Sequence, residues 1–228
     1  RLRENTIHTG KHYVFGMYAH QINKLIPELR KNNDIGKLGI HFHRKTQNIS
    51  EWSLKYEVEE ALSEEALNEI DILNIGGGIP SKYKNFRAEV MNYIFDQIKD
   101  LRNWLNGRRI TMVAEPGRFI AAPAVKLETE IVNIYDNNIV VNCSVYNSAM
   151  DTFVAHIRLL IDGELENEKT GKKYTIKGIT PDSMDIFRYS VFLPEKKVGD
   201  KIVFLNAGAY NFSTDFCNLE RLNTAVVE

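Results

Sequence analysis

Leu73-Asn74-Ile75-Gly76-Gly77-Gly78-Ile79-Pro80 sets three consecutive glycines directly after a short apolar run. An apolar run that stops at glycine reads as a buried strand closing on a tight turn. Without Cβ atoms the backbone can approach another group closely, and successive N–H groups of such a turn form a concavity suited to an anion. A second apolar run, Ile110 to Ala114, ends on Glu115-Pro116-Gly117-Arg118, and a third, Lys37 to His43, ends on His41-Phe42-His43 with Thr46 just beyond. All three motifs therefore sit at carboxyl ends of strands, where open parallel sheets and barrels alike bind ligands.

Around these strands the texture is helical. Tyr18 to Lys31 carries Ile22, Leu25, Ile26 and Leu29 at helical spacing, Ser50 to Ile70 reads as mostly helical, and Phe86 to Asn106 as a long amphipathic helix. Strands alternating with helices imply a parallel sheet with crossover helices. From Val125 the pattern changes to strand after strand: Lys126 to Tyr135, Ile139 to Val145, Tyr174 to Gly178 and Lys201 to Asn206. Their turns fall at Asp136-Asn137-Asn138, Thr170-Gly171 and Val198-Gly199-Asp200. The fold class expected is α/β over residues 1–123, followed by a β-rich domain over 124–228. Three or four strand–helix units cannot close an eight-stranded barrel, which takes about 250 residues. The fold is therefore open, or the chain is part of a longer one.

Composition excludes several classes. The formal net charge of −1 leaves no footprint for nucleic acid or an anionic membrane. No apolar run approaches the roughly 20 residues of a membrane span. Two cysteines, Cys143 and Cys217, fit a reducing, cytoplasmic setting better than a disulfide framework. The chemistry of the motifs is more specific. Arg118 can grip a phosphate with its fork, and Glu115 can hold the proton on a heterocyclic nitrogen. An anion cradle with an acid some distance away suits pyridoxal 5′-phosphate.

These motifs, in this order, resemble the pyridoxal-phosphate decarboxylases of the alanine-racemase-like fold, which act on ornithine, diaminopimelate and carboxynorspermidine. Arg1-Leu2-Arg3 with Val14-Phe15-Gly16, the Gly39-to-His43 strand, the glycine turn, Glu115-Pro116-Gly117-Arg118 and Asn206-Ala207-Gly208-Ala209-Tyr210 all have counterparts there. The resemblance implies part of a (β/α)8 barrel carrying the cofactor, a β-rich C-terminal domain, and a homodimer that shares its active site. It implies His43 on the ring face, Glu115 at the ring nitrogen, and Thr46, Gly76, Gly77, Gly78, Gly117, Arg118 and Tyr210 around the phosphate. Asp182 would meet the distal group of an amino-acid substrate. The implied activity is biosynthetic decarboxylation.

The sequence departs from the family pattern in three places. The family's cofactor lysine belongs to an early barrel strand, so this chain is expected to be the C-terminal portion of a longer protein. Lys126, in Ala124-Val125-Lys126, follows the Glu115 motif and is read as a chance match. Pro181 stands where the family has a proton-donating Cys, and proline cannot donate; Cys217 is a possible substitute from another loop. Ala155 stands where ornithine decarboxylases carry a further carboxylate. Two other readings stay open: a catalytically inactive, decarboxylase-like regulatory or binding protein, and a metal-dependent barrel hydrolase using His41 and His43, which share a strand face.

Overall fold

The computed structural model describes residues 1–3, 15–43, 45–86, 89–210 and 213–227. Val14 of the quoted motifs, and residues 87–88 of the expected third helix, lie outside the described residues. The chain divides into two compact units, one of residues 1–80 and 88–117, the other of 81–87 and 118–228.

The first unit alternates helices and short parallel strands: α1 (Ala19–Arg30), β1 (Gly39–His41), α2 (Leu54–Ala61), α3 (Glu64–Glu69), β2 (Ile72–Asn74), α4 (Val90–Gly107) and β3 (Thr111–Val113). Ile22 and Ile26, one turn apart on α1, are buried, as are Ile94, Leu101 and Leu105 on α4. The single helical stretch expected over 50–70 is two helices. Leu62 is extended, and the Ser63 hydroxyl accepts the Ala66 N–H at 3.2 Å, which starts α3 afresh. Among the described residues the sheet order is β1-β2-β3, all parallel. Leu2 donates its N–H to the His41 carbonyl at 2.8 Å, at the end of β1, and forms an isolated parallel bridge with Met17. The register sets Gly39 level with Ile72 and Thr111, and His41 level with Asn74 and Val113. Two residues further along, His43, Gly76 and Glu115 therefore share one level, at the carboxyl ends. That coincidence of register makes one site of three motifs.

A short helix, α5 (Gly117–Ala121), leads to the β-rich unit, which contains β4 (Leu127–Tyr135), β5 (Asn138–Val141), α6 (Val145–Ser148), α7 (Asp151–Val154), β6 (Leu160–Ile161), β7 (Lys172–Lys177), β8 (Ile186–Leu193) and β9 (Lys201–Leu205). Its described strands form one six-stranded sheet, in order β6-β9-β4-β5-β7-β8. β4 shows the alternation that betrays a half-buried strand: Leu127, Thr129 and Ile131 are inside, Glu128 and Glu130 outside. The β4–β5 hairpin turns at Asp136-Asn137, with Asp136 left-handed at φ 51°. The strand expected to run to Val145 stops at Val141, because Ser144 caps α6 by accepting the Tyr146 N–H at 3.1 Å. β8 was not expected. Its register against β7 shifts twice, which breaks the apolar alternation, and Arg188 sits inside, paired with Glu164 at 2.9 and 2.8 Å. The core gathers Ile131, Val141, Ile176 and Phe204 around a Phe187–Phe204 ring contact of 4.7 Å.

Candidate active site

In the first unit the glycine turn is a junction of three strand ends. Gly76 is left-handed (φ 63°), and a Cβ there would lie 2.5 Å from the Phe42 carbonyl and 2.8 Å from Nδ1 of His43. A Cβ on Gly77 would lie 2.7 Å from the Glu115 carbonyl. The backbone is stitched accordingly: Glu115 donates its N–H to the Gly76 carbonyl at 2.7 Å, and Asn48 donates to the Gly78 carbonyl at 2.9 Å. The second bond fixes the loop that carries Thr46, and Trp52 Nε1 closes that loop on the Asn48 carbonyl at 2.9 Å. The Gly76 N–H goes to Oδ1 of Asn74 at 2.8 Å and the Gly77 N–H to Nδ1 of His43 at 3.0 Å. Among the described residues no partner takes the Gly78 N–H, so it is the turn's spare donor. Two of the three glycines thus serve close packing first.

The acid of the site is built from neighbours. Oε1 of Glu115 accepts from Nδ2 of Asn74 at 2.8 Å, and Oε2 lies 3.6 Å from Nε2 of His41. The Glu115 side chain is 56% exposed, so the carboxylate is open to a ligand. The His41 and His43 rings are stacked with centroids 6.4 Å apart. His43 is held below the ordinary imidazole value of 6.5, first by burial, then by the charges of Arg1 and His41, with Glu115 opposing. Folding therefore disfavours its protonation, so the associated stability is complete above 6.5 and is lost as pH falls through and below it. Denaturant midpoints measured at neutral and mildly acidic pH should fall more steeply for wild type than for His43→Gln.

His41, His43 and Glu115 each offer a ligand atom, all within 4.8 Å of one another, which is the geometric basis of the metal reading. The hydrogen bonds oppose it. Nδ1 of His43 accepts a backbone N–H, so a neutral ring carries its proton on Nε2, and neither nitrogen presents a lone pair to a cation. One Glu115 oxygen is also committed to Asn74.

The second unit holds the remaining expected residues. Arg118, on α5, is 4% exposed; its Nη1 pairs with the Asp151 carboxylate and donates to the Tyr83 hydroxyl at 3.2 Å. Its guanidinium carbon lies 4.6 Å from the Tyr210 ring centroid. Tyr210 is 62% exposed and left-handed at φ 58°. The Asn206-to-Tyr210 segment lies along residues 122–125, with Ala207 donating to Val125 at 3.0 Å and Gly208 to Ala122 at 3.1 Å. A Cβ on Gly208 would be 2.1 Å from the Ala121 carbonyl. Asp151→Ala would leave a buried guanidinium without this partner and should cost about 3–5 kcal/mol, read as a lowered unfolding midpoint.

In the loop between β7 and β8, Asp182 accepts the Met184 N–H at 2.8 Å and the Tyr146 hydroxyl at 2.7 Å. Both bonds hold the Asp182 carboxyl below the usual range, and the carboxylate pushes Tyr146 up to about 12. Asp182 therefore stays anionic and exposed at neutral pH. Asp185, by contrast, is buried and accepts from Val145 N–H and from both donors of Thr180, at 2.7–3.1 Å, so it caps the loop. Cys217 is exposed, and Cys143 is buried and pushed up to about 12 by that burial. Lys126 is exposed immediately before β4. The sequence reading missed Asn74, Asp151 and Tyr146. Their partners lie 41, 33 and 36 residues away, and no local pattern marks them.

The chain is similar to several known proteins. The chain is 25% identical over 220 residues to diaminopimelate decarboxylase of Helicobacter pylori, covering 91% of this chain and 53% of that protein. It is 26% identical over 228 residues to antizyme inhibitor 2 of Xenopus laevis, covering 87% and 48%. The crystal structure of the Paramecium bursaria Chlorella virus arginine decarboxylase superposes with a TM-score of 0.66 at 26% identity, covering 90% of this chain and 58% of that one. The chain spans about half the length of the curated relatives it matches. The model of the pyridoxal-binding domain of pyridoxal-dependent decarboxylases matches residues 3–122, and that of their C-terminal sheet domain matches 91–208. With His43, the glycine turn and Glu115 brought to one level, the chain belongs to the pyridoxal-dependent decarboxylase family.

Proposed function

We propose that the protein of which this chain is part decarboxylates an amino acid with a charged side chain, of the ornithine, lysine, arginine or diaminopimelate kind. The observation that carries the reading is Glu115, a carboxylate held by Asn74 beside an imidazole kept neutral. That donor set fits pyridoxal 5′-phosphate: the carboxylate suits a protonated ring nitrogen, the imidazole a ring face, and the Gly78 N–H and Thr46 hydroxyl an anion. When bound, the cofactor supplies the electron sink for the bond that breaks. Glu115 keeps the ring proton in place by accepting it as a hydrogen bond. His43, neutral and tied to Gly77, fixes the tilt of the ring without adding charge. Gly76 and Gly77 hold the strand ends close, and Gly117, Arg118 and Tyr210 join the phosphate ligands in this proposal on the resemblance alone. Asp182, kept anionic by Met184 and Tyr146, selects a cationic tail.

The same proposal includes a partial (β/α)8 barrel over 1–123, a β-rich domain over 124–228, a homodimer and a cytoplasmic location. A second reading, an inactive regulatory homologue, is favoured by Pro181 and by the similarity to antizyme inhibitor 2. Release of CO₂ from ornithine, lysine, arginine, diaminopimelate and carboxynorspermidine by the intact protein separates the two. Turnover of one of them, with a raised KM in Asp182→Ala, supports the enzyme. Cofactor bound without turnover of any supports the regulator.

A further inference from the structure

We infer that Asn74 is a positioning residue for Glu115, tying the acid of the site to the glycine turn through one side-chain amide. This rests on the cofactor reading proposed above. Asn74 is the last residue of β2, and its amide spans two motifs that lie on different strands. Oδ1 accepts the Gly76 N–H at 2.8 Å, and Nδ2 donates to Oε1 of Glu115 at 2.8 Å. The orientation of the amide is not ambiguous, because a backbone N–H can only donate and so must face the oxygen. The nitrogen is then turned to the carboxylate, which can only accept while ionised.

Two consequences follow for a ligand. Fixing Oε1 fixes the plane of the carboxylate, so Oε2, on the His41 side, keeps one direction in which to accept a ring N–H. The same amide also holds Gly76 in its left-handed turn, so the acid and the turn keep a constant separation. No other side chain of this length does both. Aspartate preserves the acceptor for Gly76 but sets a second carboxylate against Glu115, where two such groups share a proton. Alanine removes both bonds.

The test compares affinities of the intact protein for 4′-deoxypyridoxine 5′-phosphate and for its analogue with CH in place of the ring nitrogen. Neither has an aldehyde, so binding does not depend on a lysine. A hydrogen bond to a charged group predicts a weakening of the nitrogen-bearing ligand of ~10-fold in Asn74→Ala and ~100-fold in Asn74→Asp. The nitrogen-free analogue should change by less than about threefold. In a Glu115→Gln background, Asn74→Ala should add no discrimination between the two ligands. Equal weakening of both ligands, or full additivity with Glu115→Gln, would overturn the inference alone and reduce Asn74 to a brace for the turn. A wild-type protein that binds neither ligand would overturn the cofactor reading as well.

Discussion

Gly76→Ala is expected to abolish useful cofactor affinity while leaving the β-rich unit folded. The residue is left-handed, which costs an L side chain roughly 1–2 kcal/mol. The new methyl would also sit 2.5 Å from the Phe42 carbonyl and 2.8 Å from Nδ1 of His43, and both belong to the strand end it must pack against. Displacing backbone from a packed junction adds about 1–3 kcal/mol. Together these predict a loss between roughly 30-fold and several thousand-fold in affinity, because His43, Gly77 and Glu115 move with the turn. A binding titration checks the affinity, and far-ultraviolet circular dichroism checks that the fold survives. Unchanged affinity would mean that the glycines matter only to the local chain path.

Glu115→Gln should have a different signature. Glutamine keeps Oε1, so the Asn74 bond can persist, but the other terminus now donates where the carboxylate accepted. The ring nitrogen then loses its reason to be protonated, while the phosphate contacts are untouched. Cofactor affinity should fall by ~10-fold, the worth of one hydrogen bond to a charged group. Turnover at saturating cofactor should fall further, by roughly 10²–10³, the scale of removing one preorganised electrostatic contact. Steady-state kinetics in saturating cofactor separate these effects, since the loss belongs in kcat. A loss confined to KM would point to a binding role for Glu115 and none in stabilising charge.

The parts of this site that were legible share a cause. Buried parallel strands are unbroken apolar runs, so their ends are marked wherever glycine, histidine or glutamate interrupts them. Leu73 to Pro80, Ile110 to Arg118 and Gly39 to His43 announced themselves in this way, and the parallel register then set them level. Contacts between distant positions carried no such mark. Asn74 looks like any polar strand end until Glu115, 41 residues later, is seen to accept from it. Arg118 read as a phosphate ligand, yet within its own unit it is buried against Asp151 and Tyr83. β8 was hidden because two register shifts scramble its alternation and because Arg188 is inside, neutralised by Glu164. The break between α2 and α3 depends on a single cap, Ser63, inside an otherwise continuous helical pattern.

The central claim is that the level formed by His43, Gly76 and Glu115 holds the cofactor. Its most direct test is a titration of the wild-type chain with pyridoxal 5′-phosphate, followed by the circular dichroism induced in the cofactor's own absorption bands. The account predicts a saturable induced signal in wild type that is absent in Gly76→Ala and changed in its pH dependence in Glu115→Gln. No saturable signal, or the same signal in all three proteins, would contradict it.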